Sequence, residues 1–204
     1  MLFRSGKGSF SGSKKYAVGQ EPGFIAAGDL DGDKDPDLVT TNFSGNDVSL
    51  LKNQGKGTFA AAVSLATGKE PCSPELADLD GDGDLDLATA NESGGDVTLL
   101  YNTGAGAFAP AKSVKMGKRP FYVDSGDLDG DKDLDLAVVM EGEDKLVLLL
   151  NDGKGNFTKG ATHATGKEPS SVALGDLDGD GDLDMAVTNH ADGTLSIFFN
   201  KTKP

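Results

Sequence analysis

The stretch that decides the fold of this chain is DLDGDGDLDL at residues 78–87, because it recurs three more times with almost no change. The other copies are DLDGDKDPDL at residues 29–38, DLDGDKDLDL at 127–136 and DLDGDGDLDM at 176–185. Each copy begins 49 residues after the one before it. Self-similarity at a fixed step of this length is the signature of a repeat protein. We therefore expect one structural unit repeated four times.

Other landmarks keep the same step on both sides of these aspartate-rich loops. They are a proline before each loop (Pro22, Pro71, Pro120 and Pro169) and a phenylalanine that ends a glycine-rich segment (Phe10, Phe59, Phe108 and Phe157). In the fourth repeat, residues 170–175, 184–189 and 194–200 read as strands, because their apolar positions follow a period of two. The glycine-rich segments suit tight connections. The pattern predicts an all-β propeller built from four-stranded antiparallel blades.

The whole chain, residues 1–204, is predicted to form a single repeat domain. It contains an N-terminal strap strand within residues 1–20, followed by repeats at about 21–69, 70–118, 119–167 and 168–204. The fourth repeat has three predicted strands, and the segment from about Phe10 to Val18 matches a fourth strand. We expect this N-terminal strand to close the last blade, since pairing removes exposed strand edges. A four-bladed ring, an eight-bladed homodimer and part of a larger propeller all stay open.

The net charge of −14 is concentrated in the loops. Of the 33 acidic residues, 20 are loop aspartates, which leaves 13 acids against 19 bases elsewhere. A polyanion is a poor ligand for nucleic acid, and no apolar run is long enough to insert into a membrane. The single cysteine, Cys72, excludes an intramolecular disulfide. The start, MLFRSGKGSF, lacks the apolar stretch of a secretory signal, so we expect a removed export segment or a piece of a longer protein.

Each loop places aspartate at positions 1, 3, 5, 7 and 9 and glycine at position 4. Calcium takes six to eight oxygen ligands, and a curled loop can offer alternate side chains to it. Without a cation these carboxylates would repel one another. An EF-hand would need an acidic residue at position 12, where this chain has Thr40, Thr89, Val138 and Val187. A single such cluster would suit a solvated acidic turn, but four in one register predict about four bound calcium ions.

The pattern DxDGDxxxDL between two strands, at a step of 49 residues, resembles the FG-GAP/VCBS repeat family over essentially the whole chain. That family includes the blades of integrin α-subunit propellers. The resemblance implies calcium ligands from the side chains at positions 1, 3, 5 and 9 and from the main-chain carbonyl at position 7. Position 6 departs from glycine at Lys34 and Lys132, and we expect this nearby positive charge to weaken two of the sites.

The implied side-chain ligands, repeat by repeat, are Asp29, Asp31, Asp33 and Asp37; Asp78, Asp80, Asp82 and Asp86; Asp127, Asp129, Asp131 and Asp135; and Asp176, Asp178, Asp180 and Asp184. The implied carbonyl ligands are those of Asp35, Asp84, Asp133 and Asp182. No ligand position is missing from any repeat.

The resemblance implies a non-catalytic adhesion or interaction scaffold, outside the cell or on its surface, that binds a protein or a glycan. Glycosidase chemistry needs two carboxylates of unequal environment in one cleft, which a repeated loop does not provide. Because GxSxG and HExxH motifs are also absent, we expect no enzyme. The alternatives are a calcium-dependent lectin, which the lack of Trp disfavours, and an accessory propeller of a larger secreted enzyme or surface protein.

A partner surface is predicted around Phe121, Tyr122 and Met140. On the face opposite the aspartate loops, the third repeat differs most from the other three, and loops on a rigid scaffold often carry function. Packing of Phe121 and Tyr122 between blades is the equally open alternative.

Overall fold

The computed structural model describes residues 12–201, which form short β-strands joined by tight turns. The strands are β1 (Pro22–Gly28), β2 (Asp37–Asn42), β3 (Asp47–Leu51), β4 (Val63–Ala66), β5 (Pro71–Ala77), β6 (Asp86–Asn91), β7 (Asp96–Leu100), β8 (Lys112–Lys115), β9 (Pro120–Gly126), β10 (Asp135–Met140), β11 (Lys145–Asn151), β12 (Phe157–Ala164), β13 (Pro169–Gly175), β14 (Asp184–Asn189) and β15 (Thr194–Phe198). One 3-10 turn covers Glu141–Glu143. The described part of the chain contains no helix with the length and apolar character needed to cross a membrane.

The strands form four antiparallel sheets, one for each repeat. Their strand orders are β1-β2-β3-β4, β5-β6-β7-β8, β9-β10-β11-β12 and β13-β14-β15. Strands adjacent in the sequence are also neighbours in the sheet, which is the meander of a propeller blade. The predicted all-β, repeated architecture is confirmed.

Glycines at two turns make each meander possible. Gly81 in the second aspartate loop has φ 79°, and Gly104 and Gly106 in the hairpin between β7 and β8 have φ 99° and 66°. This left-handed backbone region costs glycine little because it has no Cβ. Glycine holds the same position in all four aspartate loops, at Gly32, Gly81, Gly130 and Gly179, and hairpin glycines recur in the first three sheets. The chain therefore reverses at the same places in those three sheets.

The hydrophobic core lies between neighbouring sheets. The first strands β1, β5, β9 and β13 contact one another in that order. Between the second and third sheets, Val97 and Leu99 of β7 share one buried cluster with Leu136 and Leu149 of the next sheet. Similar clusters fill the other two junctions, so one face of each sheet packs against the opposite face of the next. This side-by-side packing is the arrangement of propeller blades.

The last sheet has three strands in the described part of the chain. The predicted strap strand, Phe10 to Val18, begins outside the described residues, and its residues 12–18 form no strand. They lie against the first sheet, where the rings of Tyr16 and Phe59 meet edge to face at 5.5 Å. Closure of the last blade by this segment is not observed here and stays a prediction.

Candidate metal centres

Each aspartate loop connects the first and second strands of its sheet and gathers three carboxylates. Within each group, one oxygen from every member lies within 4.8 Å of the others. The groups are Asp29, Asp31 and Asp33; Asp78, Asp80 and Asp86; Asp127, Asp129 and Asp135; and Asp176, Asp178 and Asp184. Two ligands at the usual calcium distance lie at most about 5.2 Å apart, on opposite sides of the ion. The spacing of the oxygens therefore fits a single cation in each loop.

The aspartate at position 1 curls the loop around itself. In the second repeat, Asp78 Oδ1 accepts a hydrogen bond from the backbone N–H of Gly81 at 2.8 Å, and its Oδ2 accepts one from Gly83 at 3.0 Å. The first of these bonds recurs in the other repeats, at 2.7–2.8 Å. Such side-chain to backbone bonds are typical of aspartate in turns. They bring the following carboxylates to the inside of the loop.

The aspartate at position 9 ties the loop to the rest of its sheet. Asp86 is fully buried, and its two oxygens accept hydrogen bonds from the backbone N–H groups of Leu79, at 2.9 Å, and Asn102, at 2.7 Å. Leu79 lies in the loop, and Asn102 follows the third strand. The same pair of bonds forms at Asp37, Asp135 and Asp184. This carboxylate therefore sets the position of the loop relative to two strands.

Negative charge in the clusters is costly without a cation. Burial, together with the nearby charges of Asp80 and Asp82, raises the pKa of the Asp86 carboxyl to about 6, against the lowering effect of its backbone hydrogen bonds. Burial also raises the pKa of Asp37 and of Asp135, again with a contribution from the aspartates at positions 3 and 5. A raised carboxyl pKa means that the ionised form is disfavoured in the folded chain.

Two of the cluster oxygens are buried without a hydrogen-bond partner. They are Oδ1 of Asp31 and Oδ1 of Asp80, which hold position 3 in the first and second loops. A buried polar atom without a partner costs free energy, and a bound cation would satisfy it. Because the donors are all oxygens, the clusters suit a hard divalent cation such as calcium.

The predicted ligand positions do not all enter these groups. Positions 1 and 3 do so in every repeat, position 9 in three repeats, and position 5 in the first repeat only, through Asp33. In the first three repeats the side chain at position 7 lies beside the hairpin between the third and fourth strands. In the second repeat, Asp84 Oδ2 would be 3.8 Å from a Cβ built on Gly104. The main-chain carbonyl at position 7 stays a predicted ligand.

The lysines at position 6 take a backbone conformation suited to glycine. Lys34 has φ 74° and Lys132 has φ 81°, whereas the other two repeats have Gly83 and Gly181 there, with φ 95° and 91°. The left-handed region costs a residue with a side chain about 1–2 kcal/mol. The Lys34 N–H still donates to Asp29 Oδ2 at 2.9 Å, so the loop keeps its curl. Weaker binding at these two sites stays a prediction.

An asparagine at or just beyond the end of each third strand also contributes to the site, and the sequence analysis does not include it. Asn102 donates its side-chain Nδ2 to the carbonyl of Leu30 at 2.8 Å, and Leu30 belongs to the preceding aspartate loop. The same bond runs from Asn151 to Leu79 and from Asn200 to Leu128. The signal in the sequence is the recurrence of asparagine at residues 53, 102, 151 and 200, again 49 residues apart. These residues connect consecutive loops.

The predicted partner residues have different surroundings. Met140 has no exposed surface and lies in the core between the second and third sheets, so it cannot contact a partner here. Tyr122 is partly buried against the core between the third and fourth sheets, and the ring of Phe121 meets that of Phe24 edge to face at 6.0 Å. A partner surface at Phe121 and Tyr122 stays a prediction.

A family model described as FG-GAP-like repeat matches the chain three times, at residues 29–89, 78–138 and 127–187. Each match spans two consecutive aspartate loops. A search of curated proteins found no match.

Several solved structures share the fold at low sequence identity. They include the Agrocybe aegerita lectin that recognises non-reducing terminal N-acetylglucosamine (22% identity, TM-score 0.55, 87% of this chain and 52% of that one). A protein from Lactobacillus plantarum gives 14% identity and a TM-score of 0.60, covering 90% of this chain and 56% of that one. Virginiamycin B lyase from Staphylococcus aureus gives 14% identity and a TM-score of 0.56, covering 93% and 60%. The chain thus spans between half and three fifths of these structures.

Proposed function

The chain belongs to the FG-GAP-like repeat family, and we propose that it is a non-catalytic propeller scaffold whose blades are each stabilised by one calcium ion. The observation that carries this proposal is the set of four carboxylate clusters, one in the same loop of every repeat. In each loop a buried aspartate at position 9 ties the loop to its sheet, and in two loops a buried oxygen at position 3 has no hydrogen-bond partner. Four divalent ions would add eight positive charges and change the net charge from −14 to −6.

Calcium in this proposal has a structural role. The ion compensates the charge that burial makes costly, and it holds the loop between the first and second strands. The scaffold then presents the face opposite the loops to a protein or glycan, with Phe121 and Tyr122 as candidate contacts. Extracellular calcium modules bind at about 10⁻⁴–10⁻³ M, so a location outside the cell, where calcium is abundant, fits this role.

Calorimetric titration of the metal-free chain tests the proposal directly. We expect close to four calcium ions per chain, a higher midpoint of thermal unfolding in millimolar calcium than in chelator, and a smaller response to magnesium. Magnesium requires shorter, near-octahedral coordination and keeps several of its waters. Unfolding curves that coincide with and without calcium would refute the metal role.

A second candidate is a calcium-dependent lectin, favoured by the fold shared with the Agrocybe aegerita lectin. Sugars stack on exposed aromatic rings, but Tyr101 is buried and Tyr122 is partly buried against the core. A glycan array that includes terminal N-acetylglucosamine, read with and without chelator, separates the candidates. Calcium-dependent binding of a defined sugar would favour the lectin.

A further inference from the structure

The open face of the last sheet is apolar. Leu195 and Ile197 of β15 are 64% and 42% exposed, and Phe199, just after the strand, is 51% exposed. The corresponding residues of β11, Leu146 and Leu148, are buried against the following sheet. The last sheet therefore exposes an apolar surface, and the equivalent surface of the third sheet is covered by the fourth sheet.

The first sheet leaves the complementary surface open. Ile25 of β1 is 67% exposed, whereas Val123 and Val172 at the matching positions of later sheets are buried. Leu38 is half-buried, whereas the matching Leu87 is fully buried by the sheet before it. The first and last of the four sheets in this row thus expose the two complementary surfaces of the sheet-to-sheet interface. That interface occurs three times between consecutive sheets of the chain.

Terminal repeats of an array that ends in solvent usually have a polar outer face. Contiguous exposed apolar patches instead mark sites of protein contact. The apolar residues at both ends of this row therefore indicate that each end is covered by another blade-like sheet.

The N-terminal segment shows where that sheet lies. The N–H of Gly19 donates to Ser49 Oγ in the first sheet at 3.2 Å. The same bond joins the end of one fourth-strand segment to the next sheet elsewhere, from Gly68 to Thr98 Oγ1 at 3.0 Å and from Gly166 to Ser196 Oγ at 3.3 Å. Residues 12–18 therefore lie where the outer strand of a preceding sheet belongs. Three inner strands are needed beside them, and within residues 12–201 the last sheet has three.

We propose that a second copy of this chain supplies the missing neighbour at each end, which gives a head-to-tail dimer that closes a ring of eight sheets. The last sheet of one copy packs on the first sheet of the other, and β15 pairs with the partner's N-terminal segment. Two such contacts, related by a two-fold axis, leave neither end open. This proposal does not depend on what the loops bind.

The expected register follows from the pairing of β3 with β4. There Val48 lies opposite Leu65 and Ser49 opposite Ser64. The same positions in the dimer place Leu195 of one copy opposite Tyr16 of the other, and Ser196 opposite Lys15. Within one copy the first and last sheets do not pack on each other. In the described part of the chain, β1 and β13 make no contact comparable to those of β1 with β5, β5 with β9 and β9 with β13.

Light scattering of the 204-residue chain in calcium tests the dimer. We expect a mass of about 42 kDa, twice the 21.0 kDa of one chain. Leu195→Asp should lower the mass to that of one chain, and Ile25→Asp at the other end should do the same. Val63→Asp is the matched control, because Val63 is also an exposed apolar residue (52%) of the first sheet. It lies opposite Leu50, on the side of that sheet that faces the second sheet and not the open end. A folded wild-type monomer at micromolar concentration would overturn the proposal.

A cysteine pair distinguishes the dimer from a ring closed within one chain. Lys15→Cys and Ser196→Cys are combined with Cys72→Ser and oxidised, and circular dichroism confirms that each variant is folded. The dimer predicts a covalent species of about 42 kDa on a non-reducing gel, twice 21.0 kDa. A disulfide formed inside a single 21.0 kDa chain, or no disulfide at all, would overturn the proposal.

Discussion

Replacing Asp86 by Asn removes one negative charge from the second aspartate loop with almost no change in side-chain size. Burial raises the pKa of Asp86 from 3.8 to about 6, so at pH 7 its ionised form costs the metal-free folded chain about 3 kcal/mol. Asn relieves that cost but keeps only one of the two backbone hydrogen bonds, a loss of about 1.5–3 kcal/mol. In chelator the two effects nearly cancel, and the free energy of unfolding should change by less than about 1.5 kcal/mol.

In calcium the same variant should be clearly less stable than the wild type. A site with a dissociation constant of about 10⁻⁴–10⁻³ M contributes about 1.4–2.7 kcal/mol at roughly 10 mM calcium. Asp86→Asn should lose this contribution, because it removes an anionic oxygen from the group formed with Asp78 and Asp80. The variant should also bind one calcium ion fewer in a calorimetric titration.

The assay is urea unfolding of the wild type and of Asp86→Asn, in chelator and in calcium, monitored by circular dichroism. Asp84→Asn is the matched control, because it removes the same charge from the same loop but its side chain faces the hairpin, near Gly104. It should keep most of the calcium-dependent stabilisation. If Asp86→Asn and Asp84→Asn lost equal amounts, general charge reduction would explain the effect and the assigned ligand role of Asp86 would be wrong.

Three further changes test other parts of the molecule. Lys34→Gly should raise the free energy of unfolding by about 1 kcal/mol in chelator, because it removes a side chain from a left-handed backbone position, and calorimetry should show tighter calcium binding at one site. Asn151→Ala should lower the free energy of unfolding by about 1–3 kcal/mol in urea titrations, since the carbonyl of Leu79 loses its partner. Burial raises the pKa of Glu75 from 4.5 to about 6, despite the hydrogen bond that it accepts from Ser125. Between these two pH values the folded chain holds a proton on Glu75 that the unfolded chain has lost. The free energy of unfolding should therefore fall by up to about 2 kcal/mol as the pH rises from 4.5 through about 6. Asp86 also titrates in this window, so Glu75→Gln should reduce the slope without removing it, and an unchanged slope would contradict the assignment.

The features that could be predicted from the sequence are local. The alternating residues 170–175 and 184–189 form β13 and β14 almost to the residue, because a period of two is set within one strand. The carboxylates of each loop come together because ligands within ten residues need only a tight turn to meet. Gly81 at position 4 of its loop provides that turn, with φ 79°.

The features that could not be predicted depend on neighbouring sheets. The sequence pattern predicts Met140 on a partner surface, because it differs from the asparagines at the matching positions, but Met140 is fully buried in the core between the second and third sheets. The bond from Asn102 to Leu30 joins residues far apart in the sequence, and no local pattern sets their distance. The position of residues 12–18 likewise depends on a contact of Tyr16 with the first sheet, not on strand propensity.

The asparagines after the third strands suggest that the loops respond to cations together. The backbone N–H of Asn102 donates to Asp86 in its own loop, while its side chain donates to the carbonyl of Leu30 in the preceding loop. A cation that holds Asp86 in place therefore also restrains the preceding loop, through one buried residue. The same link exists at all three junctions. We therefore expect one cooperative unfolding transition, with a midpoint temperature that calcium raises. Separate transitions in calorimetry, each assigned to one loop by its aspartate variant, would show that the loops act independently.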